Sequence, residues 1–360
     1  MPNDNDESDL KRLRAAIDAI DRDLVTLLNQ RAMHAQSIGR LKGESAAYRP
    51  EREAQVLRGV CSQNRGPLPD VAITGVFRQV MSACLALERQ TRVAYLGPAG
   101  SYSYAAVGKH FGEFVDARSY TTIDDVFRAV EVGQCDYAVV PVENSTEGAV
   151  GRTLDLMCQT PLTVMSETRL RIEHNLLAKE TGLDSVAKVY SHAQSLAQCQ
   201  RWLAQNLPHA LRVPVASNSE AARLAASEPG SAAIAGRVAA TIYALEILVA
   251  NIEDEPNNTT RFWILGTHAV GASGRDRTSL VMSAQNRPGA MYALLEPLAK
   301  HGVSMSRLES RPARMGMWEY LFFVDLVGHR DDPEVAAALS GLSERAAFVR
   351  LLGSYPAAFD

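Results

Sequence analysis

Charged side chains occupy positions of the first 90 residues where a helical repeat requires apolar ones. Arg31 and His34 fall on the apolar seam of a heptad pattern. Glu88 falls on a helical stripe with Met81 and Cys84, where a carboxylate is costly unless it is paired or protonated. A polar seam residue often only fixes coiled-coil register, so that structural explanation stays open. Further cations nearby, Arg14, Lys42 and Arg52, favour a functional site.

Two turns in the middle of the chain place glycine and hydroxyl residues between a strand and a helix. The first is Gly97–Ser103 and the second is Glu143–Gly148. Backbone N–H groups at such turns can form an anion-binding seat, although either turn alone could be an ordinary tight turn. Neither matches GxGxxG or a Walker loop, so a nucleotide ligand is disfavoured.

Three segments with different patterns must position these residues. Residues 9–90 read as nearly all helix, beginning with a long helix over 9–42 whose apolar seam predicts a partner, most simply a second copy. Residues 92–270 alternate short strands with helices, which predicts a mainly parallel sheet, with a crossing between two lobes near 169–175. After a Gly-Ala-Ser-Gly linker, the order βαββαβ predicts a ferredoxin-like sandwich.

The composition excludes several classes of protein. The 360 residues are 46% hydrophobic and 22% charged, which is typical of a globular chain, and predict two or three domains. A net charge of −4 argues against a nucleic-acid or anionic-membrane binder, and no uninterrupted apolar stretch is long enough to span a membrane. The polar, acidic start does not match a signal peptide, and five cysteines without a CxxC pair indicate reduced thiols and no metal site. We expect a cytoplasmic protein.

The first segment resembles the all-helical chorismate mutase family. The matching residues are Arg14 in LRAAID, Arg31 in LLNQR, Lys42 in IGRLK and Arg52-Glu53 in YRPERE. The resemblance implies an intertwined dimer that converts chorismate to prephenate without a cofactor, with Arg31, Lys42 and Glu88 as catalytic groups. The chorismate-binding residues that it implies are Arg14, Arg31, Lys42, Arg49, Arg52, Glu53, Cys84 and Glu88.

Two expectations follow for the mutase site. Arg14 and Arg31 are 17 positions apart, or roughly 25 Å of helix, so Arg14 should reach the partner chain's site. Glu88 stands where many relatives have glutamine, and a glutamate donates to the substrate's ether oxygen only when protonated. Mutase activity should therefore fall as the pH rises. Cys84 in place of serine and Arg49 in place of aspartate also depart from the family.

The second segment resembles prephenate dehydratase through YLGPAGSYS, ENSTEG, SHAQSLAQC and the TRF motif at Thr260–Phe262. The resemblance implies two α/β lobes with a cleft between them, in which prephenate loses CO₂ and its ring hydroxyl. Thr260 would polarise the departing hydroxyl as the catalytic residue. The implied prephenate-binding residues are Asn144, Ser145, Thr146, Thr260 and Arg261, although Arg261 could instead brace the lobes. His192 is either near the cleft or a helix cap.

The third segment resembles the ACT domain of the same enzymes. It implies feedback inhibition by L-phenylalanine, bound between the ACT domains of two chains. The residues carrying this resemblance are Gly289, Ala290 and Met291 in one motif and Glu309, Ser310, Arg311 and Pro312 in the other.

Together the resemblances predict three domains: an all-helical mutase at 1–91, a two-lobed α/β dehydratase at 92–270 and an α+β ACT domain at 275–360. The expected function is a bifunctional enzyme of phenylalanine biosynthesis, a homodimer or larger homo-oligomer that acts on chorismate and prephenate. The alternative is a non-catalytic sensor of small acids or amino acids with a helical dimerisation module.

Overall fold

A computed structural model describes residues 4–42, 48–180, 182–284, 287–312 and 320–358, without the side chains of residues 4, 5 and 42. The first segment forms three helices, α1 (Asp4–Lys42), α2 (Pro50–Gln63) and α3 (Asp70–Glu88). Pro50 occupies the first turn of α2, where a missing N–H is harmless, and Pro69 precedes α3. The apolar seam of α1 is exposed, with Leu13 and Ile17 each 57% accessible.

The helix α3 has the length and apolar composition of a membrane span, the one such helix in the described part of the chain. It carries Arg78 at its middle and packs against α1, α2 and the following domain.

The second segment folds into two lobes, each built on its own sheet. The β5 strand ends in the first sheet and β6 begins in the second, which confirms the predicted crossing near 169–175. The elements are β1 (Arg92–Leu96), α4 (Tyr102–Phe111), β2 (Asp116–Tyr120), α5 (Ile123–Glu131), β3 (Tyr137–Asn144), β4 (Gly148–Ala149), α6 (Gly151–Met157), β5 (Thr163–Arg171), β6 (Asn175–Ala178), β7 (Lys188–His192), α7 (Ala193–Gln198), α8 (Gln200–Asn206), β8 (Leu211–Val215), α9 (Asn218–Ser227), β9 (Ser231–Ala235), α10 (Arg237–Tyr243), β10 (Glu246–Val249) and β11 (Thr259–Gly266).

The expectation of mainly parallel sheets is wrong. In the first lobe, β1 pairs in parallel with β2 and β3, but β11 lies antiparallel between β3 and β5. The chain leaves this lobe at the end of β5 and returns to it at the start of β11, so the returning strand must run the opposite way. In the second lobe, β6 is antiparallel to both β9 and β10.

The third segment is a four-stranded antiparallel sheet in the order β13-β14-β12-β15, with two helices. One face of the sheet packs on the helices, and the other packs on the first lobe of the second segment, where Val281 and Phe323 join a core with Trp263. The elements are β12 (Asp276–Ser283), α11 (Ala290–Lys300), β13 (Met305–Pro312), β14 (Tyr320–Val327), α12 (Pro333–Arg345) and β15 (Phe348–Pro356).

The helical unit also contacts the first lobe. The backbone N–H of Phe114 donates to Ser82 Oγ at 3.2 Å, and Tyr48 OH lies 2.6 Å from His110 Nε2. Burial, helped by Arg78, lowers the pKa of His110 to about 3, so the ring is neutral.

Candidate functional sites

A cavity of about 300 Å³ lies between α1, α2 and α3. Its walls contain Arg31, Arg49 and Arg52, together with Glu53 and Glu88. Cys84 is buried in the same wall, and Phe111 of the neighbouring domain closes one side. The structure thus brings together six of the eight predicted chorismate-binding residues. Guanidinium groups facing one small cavity are suited to a ligand with carboxylates.

The two remaining members of the predicted set are placed differently. Arg14 is exposed on α1 and does not line this cavity, as expected if it serves a second chain. Lys42 ends α1, but its side chain lies outside the described residues.

Arg78 is a fourth cation in the cavity that the sequence analysis missed. Its Nε lies 3.7 Å from Glu53 Oε1. Burial raises the pKa of Glu53 to about 7, although Arg78 opposes that rise. The spacing of α3 could have revealed Arg78, because it lies one turn before Ser82 and on the side of the helix that carries Cys84 and Glu88.

Gly39 allows Glu88 to pack closely against α1. A Cβ atom at position 39 would lie 2.9 Å from Glu88 Cγ and 3.0 Å from Glu88 Oε2. The glycine therefore makes room for the carboxyl group at the edge of the cavity.

A second polar cluster lies where the two α/β lobes meet. Asn144 ends β3 and Thr260 is the second residue of β11, and the two residues are paired in register. Asn144 Nδ2 donates to Thr260 Oγ1 at 2.8 Å and to Asn258 Oδ1 at 2.8 Å. Asn144 Oδ1 accepts from the N–H groups of Thr146 and Glu147, which fixes the orientation of the amide. Since Thr260 Oγ1 accepts a bond, its own proton is free to donate.

The second lobe contributes Gln198 to this cluster. Gln198 Nε2 lies 3.4 Å from Thr146 Oγ1, and Gln198 Oε1 accepts from Asn258 at 3.4 Å. His174 Nε2 lies 2.7 Å from Gln198 Oε1, and burial lowers the pKa of His174, which keeps the ring neutral. Gln198 is the penultimate residue of the SHAQSLAQC motif, so the signal was present in the sequence, whereas nothing there indicated His174.

Arg261, expected among the prephenate-binding residues, is not part of this cluster. Neighbouring residues of a strand point to opposite faces, and the Arg261 guanidinium lies behind the sheet, against the third segment. It pairs with Glu167 at 2.6 Å and with Asp325 at 2.5 Å. Burial alone would lower the pKa of Arg261, but Tyr355, Glu167 and Asp325 raise it above its usual value.

The other predicted loop residues have local partners. Ser145 Oγ accepts from the N–H of Thr259 at 2.9 Å, which ties the loop to β11. Ser101 caps α4, accepting from the N–H of Tyr104 at 3.2 Å. His192 caps α7, accepting from the N–H of Gln194 at 3.3 Å, so the structure supports its capping role. Gly100 packs against Ala239 of the second lobe, where a Cβ atom would lie 3.2 Å from Ala239 Cα.

The two motifs of the third segment end at the same edge of its sheet. Gly289 has φ +77° at the start of α11, a left-handed conformation that glycine adopts without strain. Since β12 and β13 both run antiparallel to β14, the loop after β12 and the Glu309–Pro312 end of β13 lie on one side. Ala290 and Met291 are half-buried, Ser310 and Pro312 are exposed, and Arg311 pairs with Asp155 at 3.2 Å.

Comparisons with known proteins match each segment to a family. A model of chorismate mutase type II matches residues 13–89, one of prephenate dehydratase matches 93–270, and one of the ACT domain matches 278–344. A bifunctional chorismate mutase/prephenate dehydratase of Neisseria gonorrhoeae is 56% identical over 348 residues, which is 96% of each chain. The chain belongs to the bifunctional chorismate mutase/prephenate dehydratase family.

Solved structures resemble about three quarters of the chain. The prephenate dehydratase of Arthrobacter aurescens in complex with L-Phe is 32% identical, with a TM-score of 0.67, and covers 74% of this chain and 90% of that one. A structure described as a quorum-quenching acylase is 29% identical, with a TM-score of 0.68, and covers 74% of this chain and 98% of that one. Proteins of this fold are therefore described with more than one activity, so the fold by itself does not establish the reaction.

Proposed function

We propose that this chain converts chorismate to prephenate in the helical cavity and prephenate to phenylpyruvate at the cluster of Asn144 and Thr260. L-Phenylalanine inhibits the second reaction by binding to the ACT domain. The proposed domain boundaries are 1–91 for the mutase, 92–270 for the dehydratase and 275–360 for the ACT domain. The observation that carries the proposal is the hydrogen bond of 2.8 Å between Asn144 and Thr260, which prepares a hydroxyl donor at the lobe boundary.

The mutase reaction is a unimolecular rearrangement, so the cavity needs no nucleophile and no cofactor. It must hold the enolpyruvyl arm over the ring and stabilise charge on the breaking ether oxygen. Arg31 and Arg52 would bind carboxylates, and Glu53 would accept a hydrogen bond from the ring hydroxyl. Lys42 and Glu88 would donate to the ether oxygen. The positive charge of Arg49 and Arg78 would further favour a dianionic substrate.

The dehydratase reaction breaks two bonds of prephenate. The bond between the ring and its carboxylate breaks, CO₂ departs, and the electron pair enters the ring. The ring hydroxyl leaves and takes up a proton to become water. Thr260 would donate a hydrogen bond to that leaving hydroxyl, while Asn144, Ser145, Thr146 and Gln198 would seat the substrate. Because threonine is a weak acid, the proton that makes water comes from solvent or a neighbouring group.

The protein would act as a homodimer in the cytoplasm. The exposed apolar seam of α1 fits a second copy of the same helix, and that copy would supply Arg14 to the cavity. The five cysteines are free thiols, which suits a reducing compartment. The alternative of a non-catalytic sensor is disfavoured, because it does not explain why Glu53 and Glu88 lie among the arginines of the helical cavity.

Substitution of Thr260 separates the two activities. Thr260→Ala should lower dehydratase turnover by about 10²–10³-fold, since it removes a donor to the leaving group, and should leave mutase turnover unchanged. Both rates are measured on purified protein, from chorismate loss and from phenylpyruvate formation with prephenate supplied. Thr260→Ser, which keeps the hydroxyl, is the matched control and should retain most of the rate. Full dehydratase turnover by Thr260→Ala contradicts the assignment.

A further inference from the structure

The β13 strand of the ACT domain presents alternate side chains to the dehydratase domain. Arg307, Glu309 and Arg311 are half-buried, whereas Leu308 and Ser310 between them are exposed. This alternation places both arginines on the face of the strand that meets the first lobe. The same strand ends with the proposed phenylalanine motif.

Arg307 reaches the residue immediately before Asn144. Its Nε lies 3.1 Å from Glu143 Oε2, and its side chain is only 8% exposed. Both the Nε and the Nη2 atoms of Arg307 are buried without a hydrogen-bond partner in the part of the chain that the structure describes, so the contact with Glu143 is an ion pair without hydrogen-bond geometry. A buried guanidinium with one contact is incompletely paired, so a small shift of β13 could change how it binds the Glu143 carboxylate.

Arg311 holds the other end of the same loop. It pairs with Asp155 of α6 at 3.2 Å and lies so close to Gly151 that a Cβ atom there would overlap its guanidinium. Arg307 and Arg311 therefore bracket the loop 144–150, which carries the side chains proposed to seat prephenate. Both ends of this loop are therefore contacted by charged groups of the ACT domain, in addition to the apolar packing between the two domains.

A second link from the ACT domain reaches the partner strand. Arg261 is paired in register with Glu143, as Thr260 is with Asn144. Arg261 Nη1 lies 3.8 Å from Glu143 Oε2 and 2.5 Å from Asp325 Oδ2 of β14. Glu143 and Arg261 are the sequence neighbours of Asn144 and Thr260. Each of them thus pairs with a charged side chain of the ACT domain.

We propose that Arg307 is a positioning residue of the dehydratase, and that β13 transmits phenylalanine binding to Asn144 and Thr260 through its contact with Glu143. This inference rests on the proposed function, because it takes Thr260 as catalytic and β13 as part of the phenylalanine site. Phenylalanine would shift β13 between two positions with different contacts to the loop.

The test is Arg307→Gln in the full-length protein. We expect dehydratase kcat to fall by about tenfold or more with a smaller change in KM for prephenate, since the effect is on the geometry of the reacting groups. L-Phenylalanine should still bind, as measured by calorimetry, but its inhibition of the dehydratase should weaken at least about fivefold. Arg307→Lys, which keeps the charge, should recover part of both effects.

Arg350→Gln is the matched control, because it removes an arginine from the same domain interface at another place. Arg350 donates to the carbonyl oxygens of Cys158 and Thr160, beyond the end of α6. It should leave dehydratase kcat and inhibition within about twofold of the unmodified protein. Mutase activity should be unchanged in Arg307→Gln, Arg307→Lys and Arg350→Gln. Unchanged mutase activity shows that each variant is folded.

The inference is overturned if Arg307→Gln behaves like Arg350→Gln, or if it loses inhibition only because phenylalanine no longer binds. Failure of the proposed function has a different signature, because the unmodified protein would then not convert prephenate or would not respond to phenylalanine.

Discussion

Glu53 lies in the helical cavity beside Arg78, and its burial changes the pH range in which its carboxyl group ionises. With a pKa of about 7, raised by burial, Glu53 is largely neutral below that pH and ionised above it. An ionised carboxylate is the stronger acceptor for the ring hydroxyl of chorismate. The mutase cavity should therefore bind its substrate more tightly as the pH rises through about 7.

A pH series of mutase kinetics checks this prediction. We expect KM for chorismate to fall as the pH rises through about 7, and Glu53→Gln to remove that dependence. Glu88→Gln is the control, since it changes the other carboxylate of the cavity and should keep the change in KM. A KM independent of pH in the unmodified protein would exclude Glu53 as the acceptor.

The helical repeat singled out Arg31 and Glu88 of the helical cavity, whereas Arg49, Glu53 and Cys84 were implied only by the resemblance to the chorismate mutase family. The orientation of Arg261 was not predicted, although strand alternation alone places it opposite Thr260. Asn258 is placed at Asn144 by the pairing of β11 with β3, whereas Gln198 belongs to the second lobe and reaches the cluster only because the two lobes pack together. His174 joins the cluster through its contact with Gln198.

At the scale of elements, the docking of the ACT sheet depends on Gly353 in β15. A Cβ atom at this position would overlap the Val164 carbonyl oxygen of β5, so the two strands approach closely only because glycine has no side chain. The sequence predicted that β12 and β15 are the first and last strands of the third segment. It did not predict the close approach of β15 to β5, because that approach depends on packing between strands far apart in the chain.

Gly353→Ala should destabilise the protein by roughly 1–3 kcal/mol, because the strands must separate to admit the methyl group. The midpoint of thermal unfolding, followed by calorimetry, measures the effect. Gly108→Ala is the control: Gly108 lies within α4, and among the described residues a Cβ atom there would meet nothing within 4 Å beyond its own helix backbone, so alanine should be neutral or slightly stabilising. Equal midpoints for both variants would contradict the proposed role of Gly353.

At the scale of the whole molecule, the exposed seam of α1 predicts that each mutase cavity is completed by a second chain. Leu13, Ile17 and Leu24 are 57%, 57% and 49% exposed, a continuous apolar stripe that a monomer would leave in water. Arg14 lies on the same helix, about 25 Å along the axis from Arg31.

Complementation between two inactive variants tests the shared cavity. Arg14→Ala and Arg31→Ala should each lose mutase activity, and an equimolar mixture after subunit exchange should recover about one quarter of the unmodified rate. Half of the dimers are then mixed, and each mixed dimer has one intact cavity. The dehydratase activity of every sample serves as the control for folding, and a mixture with no recovered mutase activity would place Arg14 and Arg31 in the same chain's cavity.

The most direct test of the whole account is a time course with purified protein and chorismate alone. The account predicts that chorismate is consumed, prephenate appears, and phenylpyruvate accumulates, with L-phenylalanine slowing only the last step. Chorismate that remains unchanged, or prephenate that accumulates without ever yielding phenylpyruvate, would contradict it.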